Sequence, residues 1–150
     1  MEKDYPNIEV SYEFVDAVAM RLVQWPNSYD VLITSNLFGD ILTDEASVIS
    51  GSMGLMPSAS VGSENALYEP IHGSYPQAAG KNIANPIASI LSLSMMLDHS
   101  FNLKKESEII NNAVEESLKN KYVTPDLSSD KNSLSTDQVG DYIVDFIEKN

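Results

Sequence analysis

Asn36-Leu37-Phe38-Gly39-Asp40-Ile41-Leu42-Thr43-Asp44-Glu45 sets two aspartates four residues apart, directly behind the apolar run Val31-Leu32-Ile33. The run reads as a buried strand and Asn36 as the N-cap of a helix. Asp40 and Asp44 then stand one turn apart on one helical face. Like charges at that spacing cost a helix ~0.2–0.5 kcal/mol, and other residue types would remove the cost. A hard divalent cation such as Mg²⁺ or Mn²⁺, which takes a few carboxylates and keeps some waters, is one reason to keep both. A solvated acidic helix face is the other, and spacing alone leaves both open.

Length and composition narrow the class. The 150 residues, 43% of them apolar, with seven Gly and seven Pro scattered at turns, fit a globular α/β protein. A formal net charge of -13, with nine Lys and Arg spread along the chain, argues against a nucleic-acid partner. No apolar window reaches the ~18 residues of a membrane span. The absence of cysteine excludes disulfides and thiolate metal sites, and is compatible with a cytoplasmic setting.

Outward from the aspartate pair, Ile8 to Val15 alternates apolar and polar residues as a half-buried strand does. A helix over 16–25 follows, closed by Pro26, and the strand at 30–35 leads into the helix at 36–50. From Gly51 the texture changes. Glycines and prolines punctuate the chain to Gly80, with short strands near Ser58–Val61 and Leu67–Ile71, and a domain crossing is expected near Gly51.

Asn85-Pro86 reads as an N-cap and first helical position. In the helix that follows, over 86–99, Ile87, Ile90, Leu91, Leu93, Met95, Met96 and Leu97 surround the axis almost completely, which predicts a central, buried element. Helices near 105–120 and 136–148 complete the chain, the last opened by Ser135 and Gln138 at capping-box spacing.

The stretch Glu69 to Pro86 is the second chemically loaded segment. Gly73 and Gly80 permit unusual backbone conformations, Ser74, Asn82 and Asn85 carry short hydrogen-bonding groups, and the segment ends at a helix N-terminus. Neither common glycine-rich nucleotide fingerprint is present. His72 on its own is more often a hydrogen-bonded structural histidine.

Taken together, residues 36–47, Gly51-Ser-Met-Gly-Leu-Met-Pro-Ser-Ala-Ser60 and Tyr68-Glu-Pro-Ile-His-Gly-Ser74 resemble the β-decarboxylating dehydrogenases, above all their isopropylmalate dehydrogenase branch. Phe14-Val15-Asp16-Ala17 and Gly80-Lys-Asn-Ile-Ala-Asn-Pro86 agree, in order and with family-like spacing.

The resemblance implies an α/β fold, the C-terminal part of an isopropylmalate-dehydrogenase-like two-domain fold. Residues 1–50 would belong to a metal, substrate and dimerisation domain, and 51–150 to a nucleotide-binding domain. The substrate-binding arginines and the catalytic Lys and Tyr would lie upstream, so no catalytic residue is expected in this chain and the piece alone should be inactive. Asp16, Asp40 and Asp44 would hold Mg or Mn, with Asp16 also touching substrate and coming from the neighbouring subunit of a homodimer. NAD would lie along His72, Gly73, Ser74, Tyr75, Pro76, Gln77, Ala78, Asn82, Ala84 and Asn85. The reaction implied is oxidative decarboxylation of a 2-hydroxy acid in leucine biosynthesis, with homoisocitrate, tartrate or D-malate as other substrates of the group. A non-catalytic dimerising module is the reading from another class.

Two positions depart from the family pattern. NAD-using members commonly carry an acidic residue where Gln77 stands, which keeps NAD as the expected cofactor with weaker exclusion of a 2′-phosphate. Tyr75 replaces a usually small residue.

Overall fold

A computed structural model describes residues 4–128 and 133–150. In chain order the elements are α1 (Val15–Gln24), α2 (Asn36–Ser50), β1 (Pro57–Val61), β2 (Ala66–Pro70), α3 (Ile87–His99), α4 (Lys104–Lys119) and α5 (Thr136–Ile147). Single 3₁₀ turns lie at Pro26–Ser28, Met53–Leu55 and Pro76–Ala78. The chain forms two compact units, Met1–Ile49 and Ser50–Asn150. Among the described residues no helix is long and apolar enough to cross a membrane.

In the first unit the helices fall close to their predicted ranges, but the strands expected at 8–15 and 30–35 do not form. A strand needs a neighbour to take up its N–H and C=O groups, and β1–β2 is the sheet formed among the described residues. Val31 and Ile33, expected in a buried strand, are 80% and 79% exposed. Glu13 ties the unit together from one end of α1, accepting from the Arg21 guanidinium and, at 2.8 Å, from the Tyr29 hydroxyl. Among the described residues, Val18 of α1 and Leu42 of α2 are the buried apolar side chains of this unit.

The start of α2 also differs from expectation. The carbonyl of Ser35 accepts from the Gly39 N–H at 2.9 Å, so Ser35 opens the helix and Asn36 lies inside its first turn. Further along, the Thr43 and Ser47 hydroxyls donate back to the carbonyls of Asp40 and Asp44, at 3.1 and 2.6 Å. Hydroxyls in mid-helix can satisfy themselves in this way without leaving the helical conformation.

In the second unit β1 and β2 pair antiparallel, from Pro57 opposite Pro70 to Val61 opposite Ala66. Each proline sits at a strand end, where a missing N–H costs the ladder least. Helix α3 packs on this hairpin and on α4, and α4 packs on α5. The core is Ile87, Ala113, Val114, Val139 and Ile143, from three helices. Truncating Ile143 to Ala would leave a cavity costing about 2–5 kcal/mol.

Helix α3 is central but not apolar all round. Ser92 and Ser94 are buried whereas Leu93 is 44% exposed. Ser94 donates to Asn111 Oδ1 at 2.8 Å and accepts from the Ser107 hydroxyl at 2.8 Å, a polar contact that joins α3 to α4. At the start of α5, Gln138 Oε1 accepts from the Ser135 N–H at 3.0 Å, one arm of the expected capping box.

Candidate functional site

The first unit carries the carboxylates. Asp40 and Asp44 are both exposed on α2, one turn apart. The Asn36 side-chain amide donates to Asp40 Oδ2 at 3.4 Å, and among the described residues neither aspartate is ion-paired. Asp16 is exposed in the first turn of α1, with its Oδ1 accepting from the Ala17 N–H at 2.9 Å. Among the described residues no three His, Cys, Asp or Glu side chains converge to hold a metal. Two open carboxylates with no neighbouring cation still fit a hard divalent ion that takes its remaining ligands from water, substrate or another subunit.

The second unit carries the loop. It leaves β2 through Ile71, whose N–H donates to the Met56 carbonyl at 3.2 Å. His72 is half-buried, its Nδ1 2.9 Å from the Gly73 carbonyl oxygen. Gly73, Ser74, Tyr75, Pro76 and Gln77 are exposed, whereas Ala78 is buried at the end of the 3₁₀ turn. Tyr75 takes the left-handed conformation (φ 43°), which turns the chain into Pro76. A side chain with a Cβ pays roughly 1–2 kcal/mol there. Asn82 is left-handed as well (φ 55°), at a cost that a short amide bears more readily.

A cleft of about 360 Å³ opens along this loop, bounded by Ala78, Gly80, Asn82, Ile83, Ala84 and Thr136. A Cβ added at Gly73 or Gly80 would meet nothing within 4 Å, so the backbone there stands open. Exposed backbone, a hydroxyl and short amides beside an open cleft are a donor set that fits the ribose and phosphate groups of a dinucleotide.

The end of the loop is fixed from behind. Asn85 Oδ1 accepts from the Ile87 N–H at 3.0 Å, so Asn85 caps α3 as its sequence position implies, although the helix proper opens one residue after Pro86. Its side-chain amide donates to Asp126 Oδ2 at 3.0 Å. Asp126 also accepts from the Ser52 hydroxyl and, at 2.6 Å on Oδ1, from the Thr124 hydroxyl. Burial alone would raise the Asp126 pKa, but these hydrogen bonds outweigh it and hold the carboxyl below its ordinary value. Gly54 completes the arrangement, because a Cβ there would lie 2.6 Å from Asn85 Cβ.

Asp126 and Thr136 lie outside every family motif, and the contacts of Ser52 and Gly54 are not told by theirs. Thr124-Pro125-Asp126 looks like an ordinary turn, and nothing in its spacing tells that it returns to Asn85, 41 residues away. Gly54 lies within the 51–60 motif, but its reason is a tertiary contact.

Residues 1–143 match the family model described as isocitrate/isopropylmalate dehydrogenase. The chain is 49% identical over 149 residues to the 3-isopropylmalate dehydrogenase of Aquifex aeolicus, covering 99% of the chain and 41% of that protein. It is 50% identical over 150 residues to the enzyme of that name from Bacteroides fragilis, with 99% and 42% covered. It thus spans about two-fifths of the length of these relatives. Among solved structures, isocitrate dehydrogenase from Methylococcus capsulatus superposes with a TM-score of 0.89 at 42% identity, over 97% of this chain and 42% of that one. The apo β-decarboxylating dehydrogenase from Thermococcus kodakarensis does so with a TM-score of 0.81 at 40% identity, again over 97% and 42%. Alike in sequence and in fold from α1 to α5, the chain belongs to the isocitrate/isopropylmalate dehydrogenase family.

Proposed function

We propose that this chain supplies the metal-binding aspartates and the NAD loop of a 3-isopropylmalate dehydrogenase, an oxidoreductase of leucine biosynthesis. The substrate is a 2-hydroxy acid that is oxidised and decarboxylated. When bound, NAD accepts the hydride and Mg²⁺ or Mn²⁺ acts as a Lewis acid toward the substrate oxygen. Asp40 and Asp44 are the chain's own ligands for that cation. Asp16 is presented across a homodimer interface to the metal and substrate of the other subunit. Residues 72–85 place backbone and short polar groups along the cofactor. The catalytic Lys and Tyr belong to a part of the enzyme outside these 150 residues, and the chain by itself turns over nothing.

The observation that carries this reading is the Asp40/Asp44 pair, exposed one turn apart on α2 and, among the described residues, not ion-paired. A helix has no structural need of such a pair, and a hard divalent ion does. The name of the relatives, 3-isopropylmalate dehydrogenase, supports the substrate and the reaction class. The test is a chimera in which this chain replaces the matching stretch of the Aquifex aeolicus enzyme. Expected are NAD- and Mn²⁺-dependent turnover of 3-isopropylmalate, and its loss by at least about 100-fold on Asp40→Asn, as removal of a charge-stabilising group would give. A folded chimera whose turnover ignores both Mn²⁺ and Asp40→Asn would refute the assignment.

A further inference from the structure

The first turn of α5 grips the loop proposed to bind NAD, at three points. The Thr136 hydroxyl donates to the Ala84 carbonyl at 2.6 Å, the Thr136 N–H donates to the Asn82 carbonyl at 3.0 Å, and the Asp137 N–H donates to Asn82 Oδ1 at 3.3 Å. Loop and helix lie more than fifty residues apart in sequence, so this is a long-range tertiary contact. Among the described residues, Thr136 is also the one bounding the 360 Å³ cleft that comes from outside the loop.

The loop needs such a hold. Asn82 sits in the left-handed conformation and Gly80 has a φ of 74°. From Gly80 to Ala84 every residue is exposed, so apolar packing contributes little to fixing it. A loop without packing keeps its shape only if its polar backbone groups are engaged. On the α5 side, the bond from the Thr136 hydroxyl is the one of the three that depends on side-chain identity, since any non-proline residue supplies the two N–H groups.

We infer that Thr136 is a positioning residue for the nucleotide, holding the Asn82–Ala84 backbone in the shape that receives NAD without itself needing to touch it. This rests on the NAD reading of residues 72–85. A loop already held in its bound shape loses less conformational entropy on binding, so release of the hold weakens affinity even though every ligand-contacting group remains.

The test is an NMR-monitored titration of the 150-residue chain with NAD, comparing wild type with Thr136→Val, Thr136→Ser and the core variant Val139→Ala. Thr136→Val keeps the shape and removes the hydroxyl, and should weaken binding about fivefold to tenfold, the value of one lost hydrogen bond. Thr136→Ser should bind within about twofold of wild type, because it restores the donor. Val139→Ala loosens α5 from the core without touching the loop, and should likewise leave affinity within about twofold while lowering thermal stability. Thr136→Val binding as wild type does would overturn the inference, as would Val139→Ala weakening NAD by the same factor. Should Thr136→Val not fold, Thr136→Ala removes the same donor and is read in the same way. Failure of the wild-type chain to bind NAD would instead remove the reading of the loop, and this inference with it.

Discussion

Asn85 donates its side-chain amide to Asp126 at 3.0 Å while its carbonyl oxygen caps the N–H of Ile87 at 3.0 Å. One side chain thus joins the start of α3, the end of the candidate nucleotide loop and the Thr124–Asp126 turn. Both arms are held, so the direction in which Asn85 presents its remaining amide hydrogen is set before any ligand arrives.

Asp126 is the acceptor on which this depends. Asp126→Ala should destabilise the second unit by about 1–2 kcal/mol, through unpaired donors on Ser52, Thr124 and Asn85. The sign of the pH dependence follows from a folded pKa below the ordinary carboxylate value. The contribution is fully present above the unfolded value and is lost as pH falls through the folded one. Urea midpoints of wild type and variant should therefore differ at pH 7 and converge below about pH 4. A difference that stays constant or widens toward acid would exclude this role for Asp126.

Gly54 is required by the same side chain. A Cβ there would stand 2.6 Å from Asn85 Cβ, 2.9 Å from its Cγ and 3.0 Å from its Nδ2. Gly54→Ala should cost about 1–3 kcal/mol as an overpacked contact and should expose the Ile87 amide to faster hydrogen exchange. Pairing it with Asn85→Gly should recover much of the loss, since the double variant removes the clash. Exchange at Ile87 that is the same in Gly54→Ala and wild type would show that the added methyl is accommodated without displacing Asn85.

What the sequence reveals here depends on how local the cause is. The five helices follow from apolar spacing and from Pro26, Asn85, Pro86 and Ser135 at their ends, all signals a few residues wide. The paired strands β1 and β2 were legible because each finds its partner across a four-residue loop. The expected strands at 8–15 and 30–35 carry an equally good pattern, yet they stay unpaired, because alternation marks a surface and does not supply a neighbour. Spacing draws notice to Asp40 and Asp44, and composition to the loop, but both leave the role open, and the metal and NAD readings come from the family resemblance. Asp126 and Thr136 draw no such notice, since their meaning lies in hydrogen bonds spanning 41 and 52 residues.

The first unit exposes apolar side chains on both of its helices. Met20 and Val23 of α1 are each 53% exposed, and Leu37, Ile41 and Val48 of α2 are 66%, 54% and 75% exposed. Exposed apolar side chains on both helices are what the proposed homodimer would cover. Homodimerisation through α1 and α2 predicts that the chain sediments as a dimer and that Val48→Glu shifts it to monomer without unfolding α2. A Val48→Glu chain that remains dimeric would place the interface elsewhere.

Gln77 is exposed at the 3₁₀ turn, and in the proposed NAD site an acidic residue there would repel a 2′-phosphate. Gln77→Asp should raise the preference for NAD over NADP, and Gln77→Lys should lower it. Each change should be about fivefold to tenfold, the effect of a single side-chain charge repelling or attracting the phosphate. The measured quantity is the ratio of the two Kd values for each protein. A ratio that is the same in all three would remove Gln77 from the ribose site.

The central claim is that residues 72–85 form the nucleotide site, and amide-resolved NMR of the chain titrated with NAD tests it most directly. Saturable shifts should concentrate at His72–Gln77 and Gly80–Asn85, with Thr136 following as the residue that holds them. Saturation with the largest shifts elsewhere, or no saturable change at any concentration of NAD, would contradict it.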